Sequence, residues 1–238
     1  MHYKNLLFSL SILCLLWTSC TIPHTVLTSN RQPAEIYKLK IARPLVILDV
    51  ISSTENDDTS TKFSIDMENK IMDAVEDVLP ENIQYSYLVL KDSSMSLVDS
   101  SLTVLKNKIL ISGDYDIEIP QPLMKVMKQD SIPYLLWVHV DGYEMTRKTY
   151  KLEKSSSILL GVVGALLGGD IQATPSRGEA RLVGFIVDRD ENNVAFFKFI
   201  NIKNKYISET DNVRKAIIDL FDGYFYKYKK GQFEKVRH

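Results

Sequence analysis

The chain has 238 residues, 29 Lys and Arg against 30 Asp and Glu, and two cysteines. A net charge of −1 creates no field that would gather nucleic acid, so no nucleic-acid partner is expected. The length suffices for one well-buried core, and two cysteines are too few for a disulfide-stapled fold.

The N-terminus reads MHYKNLLFSLSILCLLWTSC. Lys4 supplies a positive start, and Leu6 to Trp17 form an apolar run too short to span a bilayer comfortably. Thr18 and Ser19 are the small residues that precede the acylated cysteine of a bacterial lipoprotein signal; Trp17 stands where leucine is usual. The expectation is a signal peptide over 1–19, lipidation at Cys20 by a palmitate-type acyl chain, and a flexible tether over 20–35. One α/β domain over 36–230 and a tail over 231–238 complete the plan. Cys14 leaves with the signal, so the mature chain has no free thiol. Thr21, in place of an inner-membrane-retaining aspartate, favours the outer membrane, with the domain facing the periplasm of a Gram-negative bacterium.

The predicted elements follow in order. Ile36 to Ile51 alternates and then runs apolar from Leu45 to Leu48, which predicts a strand buried there on both faces; Pro44 marks an edge or a bulge. Ser52 to Lys62 reads as a polar loop. Ile65, Ile71, Met72, Val75, Val78 and Leu79 form a helical stripe that Pro80 stops. Ile83 to Leu90 is the second strand, and serine-rich Asp92 to Ser101 a surface loop. Leu102 to Leu110 fits a short helix or a strand. Pro120 and Pro122 introduce a short helix. Ile132 to Leu152 reads as one long strand. Glu179 to Ile202 is a hairpin turning around Arg189 to Asn193. Asp211 to Lys229 is an amphipathic helix led by Val213, Ala216, Ile217, Leu220 and Phe221. The fold class is α/β (α+β): a single mixed sheet of about five strands with helices packed against it, plus an apolar Gly-rich insert.

That insert is ILLGVVGALLGGD, Ile158 to Asp170. It is no phosphate loop, because Asp170 stands where a Walker lysine belongs. It cannot line a watery pore, because it does not alternate apolar with polar residues. As a helix, about twelve residues reach about 18 Å, short of a hydrocarbon core of roughly 30 Å. Two readings stay open. The segment is buried against the protein's own sheet, or it meets a membrane or partner through Leu159, Leu160, Val162, Val163, Gly164, Leu166, Leu167 and Gly168.

Other chemistry is sparse. His139 and Asp141 share a strand face with no second histidine cluster nearby, which reads as a strand histidine bonded to its neighbour rather than a metal site. Asp188-x-Asp190-x-Asn192 starts like a calcium loop, but Asn193 and Phe199 replace the required glycine and glutamate; it reads as a turn. Tyr224, Phe225, Tyr226 and Tyr228, interleaved with Lys227, Lys229 and Lys230, read as a helix end packed on the sheet. No cofactor, metal or catalytic residue is expected.

Four features together carry a resemblance: the lipoprotein start, ILDVI followed by a helix, YLLWVHVDGY, and LVGFIVDRDENNVAFFKF before a terminal helix. The order of elements resembles the periplasmic α/β domain of curli-secretion-type lipoproteins, penicillin-binding-protein activator lipoproteins and the Tol propeller protein's N-terminal domain. Val187, Asp188, Asn193 and Val194 fall on that group's hairpin pattern. Asn192-Asn193 replaces its Thr-Gly, and Phe196 or Phe197 its tryptophan. The resemblance implies an α/β domain used for envelope scaffolding without catalysis, and in one branch an oligomeric outer-membrane pore. The expected function is a non-enzymatic adaptor that binds another envelope protein, with a homo-oligomer open. The alternatives are a secretion-channel subunit and an envelope hydrolase using His139 as base. The N-terminal peptide of the mature protein should carry fatty acid on Cys20 by mass spectrometry, and a Cys20→Ser chain should wash out of the membrane fraction; an unacylated mature N-terminus would contradict this.

Overall fold

The computed structural model describes residues 25–26, 33–52, 58–90, 92–113, 116–166, 175–229 and 232–235. Lipidation at Cys20, the contact residues Leu167 and Gly168, and Lys230 lie outside them. The elements run β1 (Thr25–Val26), β2 (Lys38–Ile41), β3 (Leu45–Ile51), α1 (Asp58–Val78), β4 (Gln84–Tyr87), α2 (Asp92–Ser112) and α3 (Gln121–Gln129). They continue with β5 (Tyr134–Met145), α4 (Arg147–Leu166), β6 (Gly178–Asp188), β7 (Asn193–Lys203), α5 (Thr210–Phe221), β8 (Tyr226–Lys229) and β9 (Gln232–Lys235).

Strands β1 to β7 form one mixed sheet in the order β1-β7-β6-β5-β2-β4, with β3 also on β5. β2 and β3 are one interrupted strand. Ile41 lies opposite Leu136 but Leu45 opposite His139, so one extra residue is accommodated between them. Pro44 sits in that bulge, where its missing N–H breaks no ladder bond. Counted this way, the sheet has the five expected strands, extended by β1 from within the expected tether. β8 and β9 pair separately as a ribbon.

Alternation along β5 divides the core. Tyr134, Leu136, Val138 and Val140 pack with α1 and α5 on one face. Leu135 and Trp137 pack with α2 and α3 on the other. The result is three layers, helix pair, sheet, helix pair, which satisfies both faces of a largely apolar sheet. The stripe of α1 is buried through Met67, Ile71, Ala74, Val75 and Val78; that of α5 through Val213, Ala216, Ile217, Leu220 and Phe221.

Four predicted elements differ, besides the strand that ends in α4. Asp92 to Ser101 is not a loop but the first half of α2, because Val98, Leu102, Leu105 and Ile109 make a buried helical stripe. Ser100 and Ser101 donate their hydroxyls to the Leu97 carbonyl at 3.0 and 2.8 Å, as serine does inside a helix. α1 begins at Asp58, inside the expected polar loop. β3 is buried on one face only; Ile47 is 55% exposed, since its side of the strand lies beyond the cover of α2 and α3. The terminal helix stops at Phe221. Gly223 takes a φ of +88°, a left-handed conformation that suits glycine, and the chain turns back. That turn buries Tyr224, Phe225 and Tyr226, with Tyr224 stacked on Phe196 at 4.4 Å. Burial pushes the Tyr224 phenol up.

α5 comes close to the sheet at Gly184, where an added Cβ would stand 2.5 Å from Leu220 Cδ2. Gly184→Ala should therefore cost about 1–3 kcal/mol by overpacking. In chemical denaturation, Leu220→Ala should cost less in that background than in the wild type, a coupling that independent sites would not show.

Candidate functional site

Two polar features stand out. The first lies under α2. His139 is 1% exposed and stacks on Trp137 at 5.3 Å. Its Nε2 is 3.1 Å from Asp141 Oδ2, yet neither ring nitrogen has a partner in hydrogen-bond geometry, so the contact is electrostatic and poorly aligned. Lys106 of α2 brings its Nζ to 3.7 Å from the same carboxylate oxygen. The Asp141 carboxyl is held below its usual range, chiefly by His139 and further by Lys106 and Arg181, against the opposing effect of burial. Burial pushes the Lys106 ammonium down. His139 therefore lies beside Asp141 without the aligned hydrogen bond expected of it, and at 1% exposure it has no open face for a substrate. Among the described residues no group of three His, Cys, Asp or Glu could hold a metal. Asp188 caps the hairpin turn: the Asp190 and Glu191 N–H groups donate to its Oδ1 at 2.9 and 3.1 Å.

The second feature is the root of α4, and here the long predicted strand is corrected. β5 ends at Met145, and residues 147–152 are helical. Thr146 makes the switch: the Thr149 N–H donates to its Oγ1 at 3.2 Å and the Tyr150 N–H to its carbonyl at 2.9 Å, an N-cap. The root is tied down from several sides. Thr146 N–H donates to the Ile51 carbonyl and Met145 N–H to the Arg177 carbonyl. Buried Glu144 accepts from Ser208 N–H at 2.8 Å and Ser208 Oγ at 2.7 Å, which fixes the segment before α5. Gly178 lets the chains close in, for a Cβ there would meet the Lys205 carbonyl at 2.8 Å and that of Tyr143 at 2.9 Å.

These ties form a cleft of about 630 Å³ lined by Arg147, Tyr150, Lys151, Lys154, Arg177 and Lys205, with Tyr206, Glu209 and Asn212. The rings of Tyr150 and Tyr206 meet edge-on at 6.4 Å. The Arg177 guanidinium lies 5.4 Å from one ring centre and 5.7 Å from the other, and that of Arg147 5.4 Å from Tyr206, within the reach of cation–π attraction. Arg147 also pairs with Glu209 at 2.9 Å. Five cations thus surround one carboxylate.

From this root α4 continues as helix to Leu166. No other element packs extensively along it among the described residues, and Leu152 and Ile158 are 56% and 53% exposed. Its helical backbone carries the predicted contact residues Leu159, Leu160, Val162, Val163, Gly164 and Leu166. No described helix is long and apolar enough to cross a membrane. Sequence reasoning missed the cleft. It took 147–152 as strand, which left Lys154 outside the element and removed the helical face that Arg147, Lys151 and Lys154 share. Their i, i+4, i+7 spacing after a capping threonine was the available signal.

No protein-family profile matches the chain, and no curated protein matches it in sequence. Several solved structures overlap loosely. A PelC dodecamer from Paraburkholderia phytofirmans is 8% identical at a TM-score of 0.36, covering 83% of this chain and 91% of that one. Lipoprotein GNA1162 from Neisseria meningitidis is 7% identical at 0.33, covering 77% and 91%. The C-terminal domain of LpoB from Salmonella enterica is 7% identical at 0.26, covering 74% and 87%. At these scores the likenesses supply no residue-by-residue correspondence. The mixed α/β architecture is present in the chain's own strands and helices.

Asp141 has a depressed folded value, so its ionised form stabilises the fold above the ordinary value of 3.8, and that support is lost as pH falls through the folded value. Asp141→Asn should cost about 0.5 kcal/mol at pH 7, a small figure because the carboxylate is half-exposed. In denaturation at a series of pH values the gap between variant and wild type should narrow as pH falls below 3.8 and vanish below the depressed folded value.

Proposed function

We propose that the chain is a lipoprotein of the Gram-negative cell envelope, held by an acyl chain on Cys20 at the periplasmic face of the outer membrane. It works as a non-enzymatic scaffold that binds another envelope protein. The signal-like N-terminus supports the address. The observation that carries the contact role is α4: a helix with exposed Leu152 and Ile158, apolar in sequence to Leu166, along which no described element packs extensively. Exposed apolar side chains such as Leu152 and Ile158 gain from meeting a bilayer or a partner. The lipid would hold the domain beside the membrane, and α4 would add a second, shallow contact. The histidine that a hydrolase would use as base is enclosed, which favours contact over turnover.

The test places a photo-crosslinking residue at Leu152 or Ile158 in intact cells. A discrete adduct with one envelope protein is expected, and Cys20→Ser should abolish it. An adduct at twice the chain's own mass would make the partner a second copy. No adduct from either position, while the protein stays membrane-bound, would overturn the scaffold role of α4.

A further inference from the structure

The cleft at the root of α4 breaks a local electrostatic rule. Helix dipoles favour acidic residues in the first turn and cations in the last. α4 has no acidic residue in its first turn and no basic one in its last. Arg147, Lys148, Lys151 and Lys154 all lie in its first half, with Arg177 and Lys205 brought against them from two other segments. Among the described residues only Arg147 of the cleft's cations has a carboxylate partner, Glu209. The arrangement is nonetheless held in place by the backbone ties around Thr146, Gly178 and Ser208 and by the two tyrosine rings. A fixed excess of positive charge around a cleft is offset by an anion, and a guanidinium oriented by aromatic rings suits phosphate oxygens.

Position along α4 selects the source of that anion. Lys151 and Lys154 precede Ile158 by seven and four residues, about 10 and 6 Å along the axis. The headgroup layer on each side of a bilayer is about 5–8 Å deep. If the helix enters a leaflet from Ile158 onward, residues 158–166 reach about 12 Å, inside one leaflet of roughly 15 Å. The cleft then sits at the depth of the lipid phosphates. We propose that the cleft formed by Arg147, Lys151, Lys154, Arg177, Lys205 and the Tyr150–Tyr206 pair binds the phosphate of an anionic membrane lipid. The proposal rests on the membrane-facing reading of α4 given above. It adds a ligand class, and a selectivity that the apolar tip alone cannot supply.

The test uses the mature chain from residue 20, with Cys20→Ser so that no acyl chain provides binding, and flotation with vesicles. One set is phosphatidylglycerol with phosphatidylethanolamine; the other is phosphatidylcholine alone. The chain should bind the anionic set at least about tenfold better at low salt. Lys151→Gln with Lys154→Gln and Arg177→Gln should remove that preference and leave phosphatidylcholine binding unchanged. A charge-matched control, Lys125→Gln with Lys128→Gln and Lys148→Gln, removes three exposed cations outside the cleft and should keep the preference. Equal loss in both triples would mean general charge attraction and overturn the site, as would an unchanged preference in the cleft triple. Inorganic phosphate at millimolar concentration should not displace the chain from vesicles; if it binds the lipid-free chain and displaces it, the ligand is a soluble phosphate and the lipid assignment fails. Ile158→Ser with Leu160→Ser should weaken binding to both vesicle types. If it changes neither while the cleft triple still loses its preference, the contact reading of α4 fails and the anion site stands. Absence of all vesicle binding overturns both.

Discussion

Strand β5 is hydrogen-bonded along both edges and packed on both faces, and the placement of nearly every other element follows from that. Its parallel edge takes β2 and β3; its antiparallel edge takes β6 over eleven residue pairs, Tyr134↔Asp188 to Glu144↔Gly178. Every side chain from Tyr134 to Val140 is buried. A strand in that position needs apolar residues at successive positions, not alternate ones. YLLWV meets this, and the histidine that follows is tolerated because Trp137, Asp141 and Lys106 surround it. The two helix pairs are then distributed by alternation, one pair to each face.

The same strand sets the direction of α4. Thr146 is the only residue between β5 and the helix, so the helix inherits its exit angle from the sheet and not from a loop. The root is reinforced by ties to Ile51, Arg177 and, through Glu144, Ser208. These ties assemble the basic cleft from three stretches of chain. Fixed structure at the root and exposed Leu152 and Ile158 farther along are what the proposed contact role of α4 rests on.

Much of the fold was legible because its signals are local. Pro44 announced a bulge, Pro80 and Pro122 bounded helices, and the polar stretch around Arg189 to Asn193 announced the hairpin. Where the reading failed, tertiary packing overrode composition. Asp92 to Ser101 looks like loop by its serines, and only the stripe Val98, Leu102, Leu105 and Ile109 shows a helix. Ile47 looks buried by its neighbours, but burial depends on which part of the sheet α2 and α3 cover, and no local pattern carries that. The cleft was hidden for a related reason: Arg177, Lys205 and Tyr206 join it from strand ends about thirty residues or more from Tyr150 in sequence, and one misplaced strand boundary concealed the rest.

The central position of β5 also orders events in time. A chain made from its N-terminus has emitted β2, β3, α1, β4, α2 and α3 before the strand that both apolar clusters require. Until about residue 145 appears, the first helices have half a surface to rest on, and β3 waits for partners more than ninety residues downstream. Pairings of such sequence separation close slowly, and the unfinished chain exposes the apolar faces of α1 and α2 meanwhile. Both apolar clusters therefore wait on the later half of the chain, to which the stacked pair Phe196 and Tyr224 also belongs.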